Sequence, residues 1–289
     1  MIIFPTEEIL DDFKKAHFNH LCYGMIDFKK NEFFFEEWSK DEEGEISKPK
    51  VVYWYDLASI SKVLCNSLSY FINPKVFTSD ALLCLNHQGG LPSWGLLDKA
   101  HWREQILAYP IHSSPTLYSD FSALRVLLEL EKKQFNMKKE CEKVWDKNLR
   151  WWLDINQQAV HDPNAKNLRV FCSHAGLFAT PLGFFKTIEN FYQLTQGFEQ
   201  IEKVLTGGYK ERFVFGFDRV LNPSELSLSG NGCSELTIGH LGFTGTSLWI
   251  DLKSKKAAIV LSDSAIKYWY EKTILNVIRK KIGQFIWKL

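Results

Sequence analysis

Cysteine pairing is the first thing this sequence lacks. Cys22, Cys65, Cys84, Cys141, Cys172 and Cys233 are scattered, with no Cys-x-x-Cys pair and no clustered spacing. That excludes a zinc framework and a disulfide-dense secreted scaffold, and predicts reduced, mostly buried thiols. An excess of charge is lacking as well. The 35 basic and 34 acidic residues leave +1 over 289 residues, which gives no case for electrostatically driven binding of nucleic acid. No apolar run is long enough to cross a bilayer, and the opening MIIFPTEEILDDFKKAHF turns acidic straight after Pro5, unlike a secretory leader. A cytoplasmic location is therefore expected, or a periplasmic one if a leader has been removed. Neither HxH nor HExxH occurs, and His161, Asp162 and His174 have no metal-ligand spacing. Walker A, G-x-G-x-x-G and G-x-S-x-G motifs are also absent, so neither a metal nor a cofactor is expected.

Aromatic residues, in contrast, are abundant at 15 %, ten of them Trp, which points to large packed interfaces. There is no internal repeat or low-complexity linker, and the length suits one large domain or two intimate subdomains. Apolar spacing predicts a helix after Thr6 as N-cap, then a hairpin of HLCYGMIDF and EFFFEEWSK joined by KKN, then an exposed acidic loop SKDEEGEISKPK. From Ser59 to about Leu153 the pattern turns helical, including CEKVWDKNLRWWLDI. Strand patterns return in RFVFGFDRVL, LTIGHLGF, TSLWIDLKS and KKAAIVLSD, and a helix over SAIKYWYEKTILNVIRKKIGQFIWKL closes the chain. This last helix is basic and amphipathic; it is expected to pack on the sheet rather than lie on a membrane. Strands at both ends with helices between them predict an α+β fold, an antiparallel sheet flanked by helices with an inserted helical subdomain. Residues 1–64 and 165–289 would build the sheet subdomain and 65–164 the helical one.

Three places carry chemistry. In YDLASISKVL, Ser59 and Lys62 share one helix face a turn apart. A serine is a poor nucleophile unless a base lies at hydrogen-bond range, and a lysine serves when burial or a nearby cation lowers its pKa. Taken alone, the plainer reading of the pair is a helix start with Ser59 as its N-cap. Tyr118 and Asp120 precede a helical pattern, where a capping loop is the plainer reading. His240 and Gly242 fall in a strand, where a core histidine fits too, and Gly242 marks a close approach of backbone or ligand. Asn86 and His87 are read as tying down a loop.

Taken together, Ser59-x-x-Lys62, Tyr118-x-Asp120 and His240-x-Gly242 resemble, in order and spacing, the motifs of the serine β-lactamase and penicillin-binding-protein superfamily. The class C-type branch is the most similar: class C β-lactamases, D-alanyl-D-alanine carboxypeptidases and related esterases. DLASISKVL is similar to its Asp-Leu-Ala-Ser-x-Thr-Lys, with Ser61 in place of Thr, and CLNHQGGLP, VHDPNA, SHAGLFATPLGF and GFTGTSLWIDLKSKKAAIVLSD resemble further segments. The resemblance implies a β-lactamase/transpeptidase-like fold and a serine hydrolase acting through an acyl-Ser59 intermediate on a small ester, amide or peptide. It makes Lys62 and Tyr118 the proton-transfer set and the backbone N–H groups of Ser59 and Phe243 the oxyanion hole. Asp120, His240, Gly242 and Thr244 would bind substrate. Two positions depart from the pattern. Asp120 stands where the β-lactamases have Asn and would tend to raise the Lys62 pKa. His240 replaces a Lys that helps bind a substrate carboxylate, so weaker or pH-dependent carboxylate recognition is expected. A carboxypeptidase or weak β-lactamase, and a catalytically silent binding relative, are the alternatives.

Overall fold

The computed structural model describes residues 4–155, 160–224, 227–265 and 271–289. Its strands in chain order are β1 (His20–Asp27), β2 (Glu32–Lys40), β3 (Ile46–Ser47), β4 (Tyr55–Asp56), β5 (Leu149–Trp151), β6 (Leu177–Ala179), β7 (Phe213–Val214), β8 (Phe217–Arg219), β9 (Thr237–Leu241), β10 (Ser247–Asp251) and β11 (Lys256–Ser262). Among the described residues they form an antiparallel eight-stranded sheet, ordered β3-β2-β1-β11-β10-β9-β8-β7, and a small sheet ordered β4-β6-β5. Both ends of the chain thus meet at the β1–β11 pair, in the middle of the large sheet. The expected α+β architecture is what the chain adopts.

Side-chain alternation along these central strands builds two cores. Leu21, Tyr23 and Met25 of β1, with Ala258 and Val260 of β11, face one side; Cys22 and Ile26, with Ala257, Ile259 and Leu261, face the other. The first core is closed by the helices Thr6–Lys15 and Thr273–Lys288, through Ile9 and Phe13 and through Leu275, Ile278, Ile282 and Ile286 at helical spacing. The larger second core holds the helices Asp120–Lys132 and Pro181–Leu194 and a buried helical run from Ile60 to Ile72.

Several local expectations are corrected. The opening helix starts at Thr6 but is not capped by it: Pro5 holds the cap position, and the Thr6 hydroxyl bonds the Phe4 carbonyl and Glu36. CEKVWDKNLRWWLDI is not helical throughout, because Leu149–Trp151 extends to pair with β6. There tertiary pairing overrides an ambiguous apolar run. RFVFGFDRVL is a tight hairpin, turning at Phe215 and Gly216, both of positive φ. The last helix begins at Thr273; residues 266–270 of its expected start lie outside the described residues. Among the described residues no helix is long and apolar enough to cross a membrane.

Candidate active site

A short stretch of chain sets the nucleophile candidate in place. β4 pairs with β6, and the Leu57 N–H continues the contact to the Leu177 carbonyl. The chain then reverses at Ala58, with φ of 51°, a left-handed conformation that side-chain-bearing residues seldom adopt. Ser59 follows at the N-cap of the helical run, yet its hydroxyl caps nothing. Its N–H instead reaches back to the Leu57 carbonyl at 2.6 Å. The hydroxyl is left to face Lys62.

Lys62 is almost fully buried, and its ammonium has three acceptors: Ser59 Oγ at 3.1 Å, the His174 carbonyl at 2.9 Å and Asp120 Oδ1 at 2.8 Å. Directly after it the helix widens into a π turn, Val63–Ser67. Such widenings often mark functional sites. Burial alone would lower the Lys62 pKa, but the charge of Asp120, joined by Tyr118, outweighs it and pushes the pKa above that of an ordinary lysine. The resting group is therefore an ammonium, not the neutral amine that a lysine base requires.

Tyr118 lies with its ring 5.1 Å from the Lys62 Nζ. Burial raises its phenol pKa, against the pull of Lys62 and a hydrogen-bonding influence of Ser59, so it rests protonated. A stitched loop holds it. The Leu117 N–H donates to the His87 carbonyl, the Ser119 N–H to His87 Nδ1 and the Asp120 N–H to the Ser93 carbonyl. His87 thus ties the loop down and packs against the Tyr118 ring. The Ser119 hydroxyl caps the helix that Asp120 begins.

His240, on β9, lies 5.6 Å ring to ring from Tyr118. Its Nδ1 donates to the Leu241 carbonyl at 2.8 Å, and its buried Nε2 has no partner among the described residues. Burial and the Lys62 charge lower its pKa to about 4, so the ring is a neutral acceptor. Ser59, Tyr118, Asp120, His240, Gly242 and Phe243 all line one cavity of about 520 Å³. Thr244 does not: it is buried, and its hydroxyl donates to the Asp56 carbonyl.

No family model matches this sequence, and no curated protein matches it. Solved structures do. A β-lactamase from Mycobacterium bovis superimposes with a TM-score of 0.63 at 13 % identity, covering 96 % of this chain and 99 % of that one. The simvastatin synthase of Aspergillus terreus gives 0.62 at 13 %, over 99 % and 98 % of the two chains. The D-amino acid amidase of Ochrobactrum anthropi SV3 gives 0.59 at 11 %, over 98 % and 99 %. The chain has the serine β-lactamase fold.

Within this β-lactamase fold the cavity also holds residues to which the sequence gave no part in the site. Asp162 forms an ion pair with the buried His174 ring at 2.9 Å and caps the helix Pro163–Leu168 through the Ala165 N–H. Asp162 outweighs the burial of His174 and favours its imidazolium. SHAGLF carries Lys62 through the His174 carbonyl, and VHDPNA holds the His174 ring through Asp162. Asp120, Asp162 and His174 place possible metal-ligating atoms within 4.8 Å of one another. Cations of the protein already answer these carboxylates: the Lys62 ammonium for Asp120 and the His174 ring for Asp162.

Arg212 pairs with Asp218 through two bonds, at 2.9 and 2.8 Å. Two further cations have no carboxylate partner among the described residues. Arg279, 4 % exposed, donates to the Thr246 carbonyl and Asn276 Oδ1 while its Nε stays unbonded. Lys272 donates to the Phe243 carbonyl and lies over the Phe243 ring. Burial lowers their pKa values to about 10 and about 8. Both line the cavity, so unpaired charge in it is positive. Only the basic pattern of the last helix hinted at this in the sequence.

Proposed function

We propose that this protein is a serine hydrolase that forms an acyl-Ser59 intermediate from small esters or amides. The observation that carries the reading is the Lys62 ammonium, 3.1 Å from Ser59 Oγ and paired with Asp120. A fully protonated amine can only donate to Oγ, so the Ser59 proton leaves toward Tyr118. Oγ bonds to the substrate carbonyl carbon as its O–H bond breaks. Tyr118 receives that proton while passing its own to the leaving atom, whose bond to carbon then breaks. This relay suits a phenol that rests protonated. Water next attacks the acyl ester, and its proton returns to Ser59 Oγ by the same route. Lys62 stays charged and stabilises negative charge on Oγ throughout. The unpaired Arg279 and Lys272 favour acyl donors bearing a carboxylate, a preference that His240, neutral above about pH 4, does not supply.

Specific observations support two other readings. The same unpaired cations suit a D-alanyl-D-alanine carboxypeptidase or weak β-lactamase, whose substrates end in a carboxylate. The Ser59 N–H, turned to the Leu57 carbonyl rather than left for an oxyanion, suits a catalytically silent binding relative. Incubation with a fluorescent penicillin, a chromogenic cephalosporin and a short-chain nitrophenyl ester, followed by mass spectrometry, separates the three. The expected result is an adduct on Ser59 that Ser59→Ala abolishes, with turnover fastest on the ester. Faster cephalosporin turnover supports the second reading. If none of the three reagents acylates Ser59, the hydrolase reading fails.

A further inference from the structure

Asp56 is the last residue of β4 and stands three residues before Ser59. Its Oδ1 accepts the Ala58 N–H and its Oδ2 the His161 N–H, each at 2.9 Å. Its own carbonyl accepts the Thr244 hydroxyl. One residue thus binds three separate walls of the cavity: the turn that delivers Ser59, the loop that carries Asp162, and the turn after β9 that carries Gly242 and Phe243. Only an ionised carboxylate offers two acceptor oxygens and no hydrogen, which is what two facing N–H donors require. The Ala58 N–H belongs to the residue in left-handed conformation, which an L-residue adopts at a cost and keeps only with outside support.

We propose that Asp56 is a positioning residue whose ionised carboxylate clasps the Ser59 turn to the 160–162 loop and so keeps Ser59 Oγ in register with Lys62. The contacts close into a ring. Asp56 holds His161, Asp162 next to it holds the His174 ring, the His174 carbonyl holds Lys62, and Lys62 reaches Ser59. The inference rests on Ser59 being the nucleophile.

The groups around this carboxyl are few. The 160–162 loop presents Asp162 and the half-buried His161, which Lys272 faces in turn; the segment leading into β4 presents Tyr53. β6 and the turn after β9 meet it with Phe178 and Thr244, which carry no charge. Burial of the carboxyl, with Asp162 adding to it, raises the Asp56 pKa to about 6 against the two N–H bonds. As the folded pKa lies above the ordinary one, Asp56 contributes stability at low pH that is lost as pH rises through about 6. The clasp therefore forms at the expense of fold stability, as expected of a group kept for function. On protonation one oxygen gains a hydrogen and meets an N–H donor, so the clasp opens on that side.

The test is kcat/KM for a nitrophenyl ester across the acid range, in the full chain, for the wild type, Asp56→Asn and Ser59→Ala. Asparagine keeps one acceptor and turns an NH₂ toward the other N–H. The expected result is a wild-type acid limb with its midpoint near 6. In Asp56→Asn that limb is lost, and kcat at neutral pH falls about tenfold to a hundredfold with KM little changed, the scale of a misplaced reacting group. His240 near 4 and Lys272 near 8 titrate away from this limb. Ser59-dependent turnover with the same rate and limb in Asp56→Asn overturns the clasp. Turnover that survives Ser59→Ala overturns instead the reading it rests on. If Asp56→Asn does not fold, amide exchange of Ala58 and His161 in the wild type decides. Protection of both, corrected for intrinsic rates, should fall as pH drops through the same midpoint, and protection flat across it refutes the inference.

Discussion

Replacing Lys62 with methionine tests the charge arrangement most directly. The pair it forms with Asp120 spans 2.8 Å, with the lysine side chain 3 % and the aspartate 16 % exposed. Breaking a buried pair from one side strands the other charge, and such changes cost about 3–5 kcal/mol. Asp120 keeps a little exposure, so the lower end of that range applies. Methionine matches the lysine stem in length and apolar character, so packing around the π turn changes little and the loss reports the charge. Adding Asp120→Asn to Lys62→Met removes the stranded carboxylate, and the double variant should regain most of the lost stability. Activity should not return with it. Without the ammonium, Ser59 Oγ loses its donor and Tyr118 its electrostatic partner, so acylation by a nitrophenyl ester should drop about 10²–10⁴-fold in both variants. Urea denaturation gives the stability cycle and stopped-flow release of nitrophenol gives the rates. Equal stability of Lys62→Met and wild type, or acylation restored by Asp120→Asn, would refute the assignment of Lys62 as a catalytic ammonium held by Asp120.

Two further outcomes follow from the cavity. Arg279→Ala should lower kcat/KM for a carboxylate-bearing ester relative to its neutral analogue by about 10–100-fold, the worth of a charge-assisted hydrogen bond, while His240→Asn leaves that ratio within about twofold; the reverse order would make β9, not the last helix, the carboxylate reader. Gly242→Ala would set a Cβ 1.9 Å from Thr246 Oγ1 and 2.7 Å from the Leu57 carbonyl. The hydroxyl can turn away, but the backbone carbonyl of the nucleophile turn cannot. Loss of about 10²–10³ in kcat is expected, with an unchanged circular dichroism spectrum, the effect of a displaced oxyanion donor; wild-type turnover would mean that this turn does not serve the transition state.

Much of the molecule was readable in order along the chain. Strand alternation announced β1, β2, β10 and β11 because a period of two is imposed by the pleat whatever lies beyond it. The last helix showed its Leu275, Ile278, Ile282 and Ile286 stripe for the equivalent reason. The segment around Leu149 did not declare itself, since three residues of strand leave no period to detect, and only pairing with β6 extends them. At the site, Ser59 and Lys62 were visible because their spacing is local. His174 and Asp162 showed no metal-ligand spacing, and nothing local to either says that the His174 carbonyl carries the lysine. Arg279 looked like one basic residue among several on an amphipathic helix.

What the sequence alone determined, then, is what depends on neighbours within a turn or a strand: the elements, their buried faces, and a hydroxyl and an amine on one helix face. The tertiary structure decided the charge states. Asp120 comes from another helix to keep Lys62 protonated, the burial of β9 keeps His240 neutral, and Lys272 and Arg279 come to the cavity with no carboxylate partner among the described residues. Electrostatic energy depends on distance and burial in space, and separation along the chain carries no record of either.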